Sequence, residues 1–392
     1  MTQRELIDGA ARQFRGQFPQ YETSPLYYGI APGRVEILGN HTDYNEGYVL
    51  SAAIDKYTVL VGTPVPGNIT SLYSESMNST VEFAIDDESP YPKYSPESWT
   101  NYPRGVILQM KPRGGFVAVV SSTVPVGAGV SSSAALELAT ASFIQAAFPS
   151  IASAAISRLD IALLCKKAEN DFVGMGCGIL DQFTSAFGQE GQLVFLDCRE
   201  LKQPKFVPLP KEYSFIVVES ESSHQLVDGK YNDLRRICFE AAKLLGKPFL
   251  RDVSSLELET NRERLSIEQF RVASHIVGEN ERVLRAVGLI GSCGDILAFG
   301  NLLSDSHRSS RYDFQNSCPE IDILIDCAQS LPGFIGARIQ GGGFGGSTIN
   351  LCESSMVEMF RDLIYRAYFQ KTGISCSSFV VAPGNGASFG DV

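Results

Sequence analysis

The sequence predicts a mixed α/β protein built as two domains, and three observations carry that prediction. The chain has 392 residues, a length that suits two domains, or one large one. Apolar runs rich in β-branched residues alternate with stretches of helical period along its length. Residues 202–211 (KQPKFVPLPK) break the pattern near the middle with proline and lysine. The expected division is 1–205 and 206–392.

The elements follow in order. Residues 3–18 read as an amphipathic helix, with Leu6, Ala10 and Phe14 four apart. Residues 27–38 are strand-like, and 47–61 read as a strand pair led by Gly47. Residues 71–85 resemble a hairpin turning near Asn78. Proline and serine make 89–100 (SPYPKYSPESWT) a loop. A helix is expected from about 102 to 109, and a buried strand at 116–121 (FVAVVS). A glycine loop at 124–136 (VPVGAGVSSSAAL) feeds a helix that runs to about 148. Another helix covers 155–173. Strands follow at 193–197 and 215–219, a long helix at 232–245, and a helix-rich stretch to about 303. Residues 334–352 (FIGARIQGGGFGGSTINLC) read as strand, glycine turn, strand. No internal repeat is present.

Composition narrows the function. Thirty-three basic against 44 acidic residues leave a formal charge of −11. That excludes a general nucleic-acid or anionic-membrane binder, so any phosphate must be held at a focused site. The N-terminal stretch lacks a signal-type apolar core, and no run of about 18 apolar residues suggests a membrane span. Nine cysteines without a CxxC pair read as free thiols of a reducing, cytoplasmic setting. The histidines His41, His224, His275 and His307 are too scattered for a zinc signature.

Two segments could carry phosphate chemistry. Gly127-Ala-Gly129, followed by Ser131, Ser132 and Ser133 at a helix start, offers backbone amides and a positive helix end to an anion. The plain alternative is a serine-capped helix after a tight turn. A Walker loop is excluded, because no GxxxxGK[ST] occurs. Gly341, Gly343 and Gly346 satisfy GxGxxG, but a strand follows rather than a helix, so a hairpin turn is the better reading. The second segment holds Glu169 and Asp181, twelve residues apart in AENDFVGMGCGILDQF. One carboxylate could hold Mg²⁺ with a serine of the glycine loop. The other, in a sharply bending loop, could orient a hydroxyl or take its proton. The alternative is a surface ion pair and a helix cap.

Together these segments resemble the GHMP family of small-molecule kinases, and within it the galactokinase branch. That branch's first motif, GRVNLIGEHTDYNxG, is similar to GRVEILGNHTDYNEG here. Its second, PxGxGLSSSA, is similar to PVGAGVSSSAA, and its third, GGGFGG, stands unaltered at 341–346. The AEN…CGIxDQF segment, Trp99 in WTNYPRGV, and Tyr231 before Arg235-Arg236 also fit, so the likeness spans residues 31 to 352. The resemblance implies an N-terminal α/β domain of ribosomal-S5 type and a C-terminal ferredoxin-like α+β domain, with the active site between them. It implies transfer of the ATP γ-phosphate to the C1 hydroxyl of an α-sugar by a monomer whose partners are sugar and ATP. Asp181 would face the reacting hydroxyl, with Arg34 beside it and the transferring phosphate. Ser132 or Ser133 and Glu169 would surround Mg²⁺. Gly127, Gly129 and Ser131–Ser133 would cradle the phosphates, and Trp99 would border adenine. Asn40, His41, Asp43, Gly178 and Tyr231 would contact the sugar.

Polar groups crowd 34–43 because a sugar presents hydroxyls all round, and each one buried without a partner costs roughly 1–3 kcal/mol. Two positions depart from the motif. The branch's asparagine is Glu36 here, and its glutamate is Asn40. The first reading is a kinase for α-D-galactose. The two departures make a kinase for a galactose-like sugar altered at C6 or C2 (galacturonate, arabinose or N-acetylgalactosamine), with unaltered phosphoryl chemistry, the alternative. A non-catalytic sugar sensor of the same ancestry is the competing class. Retention of Ser131–Ser133, Glu169 and Asp181 favours catalysis.

Overall fold

Eighteen consecutive strand residues, Tyr48–Val65, form the spine of the molecule. The computed structural model describes residues 1–148, 156–221, 227–290 and 294–392. His224, one of the nine cysteines (Cys293) and the expected helix start at 155 lie outside the described residues.

The first sheet contains β1 (Tyr27–Leu38), β2 (Tyr48–Val65), β3 (Ile69–Ser74), β4 (Ser79–Ala84), β5 (Gly115–Ser122), β6 (Gln192–Asp197), β7 (Lys205–Pro208) and the late strand β12 (Ser388–Asp391). Its main order is β12-β1-β2-β5-β3-β4. Among the described residues, only β3 and β5 run parallel. The second sheet has β8 (Tyr213–Glu219), β9 (Phe334–Ile339), β10 (Ser347–Glu353) and β11 (Ser377–Val381), in the order β11-β8-β10-β9. The helices described are α1 (Gln3–Gln17), α2 (Asn101–Met110), α3 (Ser132–Ala147), α4 (Arg158–Ala168), α5 (Leu180–Phe187), α6 (Val227–Leu244), α7 (Ser255–Thr260), α8 (Ile267–Gly288), α9 (Ile296–Ser309), α10 (Pro319–Ala328) and α11 (Val357–Thr372).

The expected strand pair at 47–61 is one strand. No Gly, Pro or Asn between residues 50 and 61 can make a hairpin turn. The chain runs straight and changes partner instead: Tyr48–Ser51 pair with β6, and Thr58–Val65 pair with β5. The proline-broken stretch 202–211 contains β7, a short edge strand that pairs with β6 alone among the described residues and ends on Pro208, a position that edge strands tolerate.

The first sheet is buried on both faces. Phe14 of α1 packs with Ile30, Val59, Val61 and Val119 on one face. On the other, Leu60, Leu72, Phe116 and Ala118 meet Leu138 and Phe143 of α3, Cys165 of α4 and Phe183 of α5. That explains why FVAVV shows no alternation. A further cluster joins the sheets: Val35, Ile37 and Leu50 pack with Phe215, Val217, Ile349 and Leu351. The far face of the second sheet is covered by α10 and α11 through Leu324, Phe360, Ile364 and Tyr368. The inner ends of β1 and β2 therefore lie where the two layers meet, and the polar motif follows directly from there.

Candidate active site

A slip in β1 sets the first functional group. The register of β1 on β2 shifts between Pro32 and Arg34. A Cβ on the intervening Gly33 would lie 2.6 Å from the Val130 carbonyl oxygen. Arg34 then fastens to two segments at once. Its backbone N–H donates to Val130 O at 3.0 Å and Nη1 donates to Gly129 O at 2.7 Å. Nε and Nη2 both reach Asp181 Oδ1, at 2.8 and 2.7 Å. Asp181 Oδ2 accepts from Ser131 Oγ at 2.5 Å. Asp181 is the second residue of α5 and not part of a loop. Its rigid helical position suits a group whose task depends on placement.

The glycine segment is not a capped helix start. Gly127 and Gly129 have φ of +86° and +69°, and Ser131, at φ 55°, makes no side-chain capping bond to α3. Its hydroxyl goes to Asp181 instead. The loop's carbonyls are held from behind, Ala128 O by Ser347 Oγ at 2.6 Å and Gly129 O and Val130 O by Arg34. Its amides at the start of α3 have no capping partner among the described residues. Uncapped donors at a helix N-terminus are what an anion needs.

Glu169 opens a π turn that continues α4 and stops at Gly174, where φ is +86°. Its carboxylate is buried, accepts from Gln182 Nε2 at 2.6 Å and lies against the Cys177 thiol at 3.4 Å. Burial, reinforced by the charge of Asp181, pushes its pKa up to about 7. The same Gln182 Nε2 donates to Glu137 Oε2 at 3.0 Å. Glu137 is buried too, and burial raises its pKa well above the carboxylate range.

The polar motif folds over α8. Gly39 N–H and Asn40 N–H both donate to Glu279 Oε2, at 2.8 and 2.9 Å. Asp43 Oδ1 accepts from Tyr44 N at 2.9 Å and Oδ2 from Leu180 N at 3.3 Å. Burial, and then the neighbouring Asp181, raise the Asp43 pKa. His41 Nδ1 lies 2.8 Å from Tyr44 Oη, and Nε2 lies 3.0 Å from Gly342 O. Burial pushes its pKa down to about 4, so the ring is neutral, with Nε2–H donating to the Gly342 carbonyl. The imidazole also packs on Tyr231 and Phe314, with centroids 4.9 and 4.6 Å away.

These parts open onto one cleft of about 370 Å³. Arg34, Asn40, His41, Asp43, Gly127, Gly129, Ser131, Ser132, Ser133, Glu169, Gly178, Asp181 and Tyr231 all line it. Trp99 does not. It is partly buried against the core of the first sheet, and its indole N–H is buried without a hydrogen-bond partner among the described residues. Tyr102, three residues on, lines the cleft in its place. The GxGxxG segment is the expected turn, and a Cβ on its Gly342 would lie 3.3 Å from the Tyr231 ring.

Three family models match in chain order: the galactokinase galactose-binding signature at residues 12–64, the GHMP kinase N-terminal domain at 101–189, and the GHMP kinase C-terminal domain at 284–366. The galactokinase of Homo sapiens is 43% identical over 90% of this chain and 89% of its own length. The chain belongs to the galactokinase family. The galactokinase of Canis lupus familiaris is 41% identical, covering 93% of this chain and 92% of that one. The crystal structure of Lactococcus lactis galactokinase complexed with galactose superposes with a TM-score of 0.90 at 30% identity, over 96% of this chain and 98% of that one. The galactokinase signature spans the polar half of the cleft, and the N-terminal model holds the phosphate loop, Glu169 and Asp181. The C-terminal model contributes the glycine turn and Arg338.

Cleft or supporting residues not singled out as site residues in the sequence include Tyr102, Glu137, Gln182, Glu279, Asn316, Arg338 and Ser347. Glu137 left a signal, a lone acid in the apolar stretch AALELATAS. Arg338 left one as well, a cation inside the strand FIGARI, but neither signal says what the charge faces.

Proposed function

We propose that this galactokinase-family chain transfers the γ-phosphate of ATP to the C1 hydroxyl of α-D-galactose, giving ADP and α-D-galactose 1-phosphate. One observation carries it. The Asp181 carboxylate is ion-paired to Arg34 and hydrogen-bonded by Ser131 of the phosphate loop, in the cleft that the galactose-binding signature enters from its other side. Phosphoryl transfer asks little covalent work of a protein and much alignment. Asp181 orients the hydroxyl and receives its proton as the O–P bond forms. Arg34 is the fixed cation for charge on the transferring group, and the amides at the start of α3 hold the phosphate oxygens. Ser132, Ser133 and Glu169 offer hard oxygen donors beside that loop, and no richer metal cluster occurs among the described residues. Few protein ligands with phosphates completing the shell suit Mg²⁺, which would supply positive charge between the phosphates. Serine loop, Glu169 and Asp181 converging in one cleft support turnover over mere sensing.

The test is galactose-dependent ADP release from Mg-ATP. Asp181→Asn is expected to lower kcat by roughly 10²–10⁴ while galactose KM stays within a few-fold. Near-native turnover in that variant overturns the assignment.

A further inference from the structure

We propose that Glu36, and not Asn40, reads the sugar at the end remote from the anomeric oxygen, by accepting a hydroxyl there and refusing a carboxylate. The inference rests on the galactose kinase activity proposed above. Asn40 is only 1% exposed and its amide is already committed. Nδ2 donates to Glu36 Oε2 at 3.1 Å and to Gly341 O at 2.8 Å. Oδ1 accepts from Asn316 Nδ2 at 2.9 Å. An amide has two N–H donors, so no N–H is left for a ligand.

Glu36 is in the opposite condition. It is 2% exposed, yet it lines the cleft. A carboxylate offers about four acceptor sites. Asn40 is the one side chain that donates to it within hydrogen-bond range among the described residues. The buried Arg338 guanidinium forms an ion pair with it at 3.6 Å, longer than a hydrogen bond. A buried, under-satisfied acceptor is costly until a ligand donor meets it. Position supports the same role. Arg34 and Glu36 pair regularly with Ala53 and Ser51, so both project from one face of β1, two residues or roughly 6.7 Å apart. With Arg34 beside Asp181 at the reacting hydroxyl, Glu36 falls at the opposite end of the ring. A uronate there would place its anion against Glu36, which runs against the galacturonate alternative that Asn40 alone suggests.

The experiment compares galactose, 4-deoxygalactose, 6-deoxygalactose and galacturonate as acceptors for three proteins. These are the native chain, Glu36→Gln, and the exchange variant Glu36→Asn with Asn40→Glu, which keeps one carboxylate in the contact beside buried Arg338. Glu36→Gln is expected to raise galactose KM roughly ten- to hundredfold, the scale of one hydrogen bond to a charged group, with ATP KM unchanged. Against the deoxy sugar that lacks the contacted hydroxyl, the penalty should vanish. The exchange variant should recover most of the galactose KM, which controls for a folding defect. Equal penalties on galactose and both deoxy sugars would make Glu36 a purely structural counter-ion and overturn the inference. So would galacturonate serving the native chain as well as galactose. A native chain that leaves galactose unphosphorylated overturns the proposed function as well, whereas the former results leave it standing.

Discussion

A Cβ on Gly178 would lie 1.8 Å from Asp43 Oδ2, so at this one position the absence of a side chain lets the Asp43 carboxylate stand against the start of α5. Gly178→Ala is expected to displace Asp43 and raise galactose KM more than tenfold, with ATP KM nearly unchanged; steady-state kinetics varying each substrate separates the two. Residue identities around the cleft were largely legible, because chemistry-bearing types crowd into short windows. What each one touches was not. Nothing in GNHTDY says that the amide of Asn40 is consumed by Glu36, Gly341 and Asn316, or that both His41 nitrogens already have protein partners. Gly341, Gly342 and Asn316 stand 276 to 301 positions away, and a pattern in one window carries no record of them. Trp99 shows the same limit: its place beside Tyr102 on the chain does not say which of the two turns inward.

The phosphate loop owes its shape to a different element. Ser347, the first residue of β10, holds Ala128 O, and Arg34 of β1 holds Gly129 O, so two strands clamp the loop from behind. Ser347→Ala should raise ATP KM several-fold, leave galactose KM within twofold, and cost about 1 kcal/mol of stability, the worth of one ordinary hydrogen bond. Ser347→Thr, which keeps the hydroxyl, should restore ATP KM. Strands and helices with a single clear period were readable, as in 27–38 and 334–352. The elements that were misjudged lacked a local signal. β2 switches partners halfway without any turn residue, and β7 is four residues ending on proline. The π turn from Glu169 to Val173 is chemically continuous with α4, so it reads as plain helix although it sets the angle of Glu169.

At the scale of the whole molecule, buried neutral histidines contribute to its response to acid. Burial pushes His41 down to about 4 and His275 down to about 3, against about 6.5 in an unfolded chain. A base depressed in the folded state contributes stability that is complete above the unfolded value and is lost as pH falls toward the folded one. The window therefore runs from about pH 6.5 down to about 4 for His41 and about 3 for His275, and each such histidine removes about 2 kcal/mol by pH 5. Urea midpoints measured at pH 7 and pH 5 should fall less for His275→Gln than for the native chain. A midpoint difference that matches the native one would show that His275 carries none of the acid sensitivity. Two layers were legible from length and the central break, but not the return of β12 to the first layer. A four-residue strand of mixed polarity gives no warning that its partner is β1. That pairing, Tyr27–Ile30 with Ser388–Asp391, also dictates an order of events during synthesis. Synthesis must reach Asp391 before the outer rim of the first layer can close. Until then the nascent chain carries an open, apolar strand border that invites association with another unfinished copy.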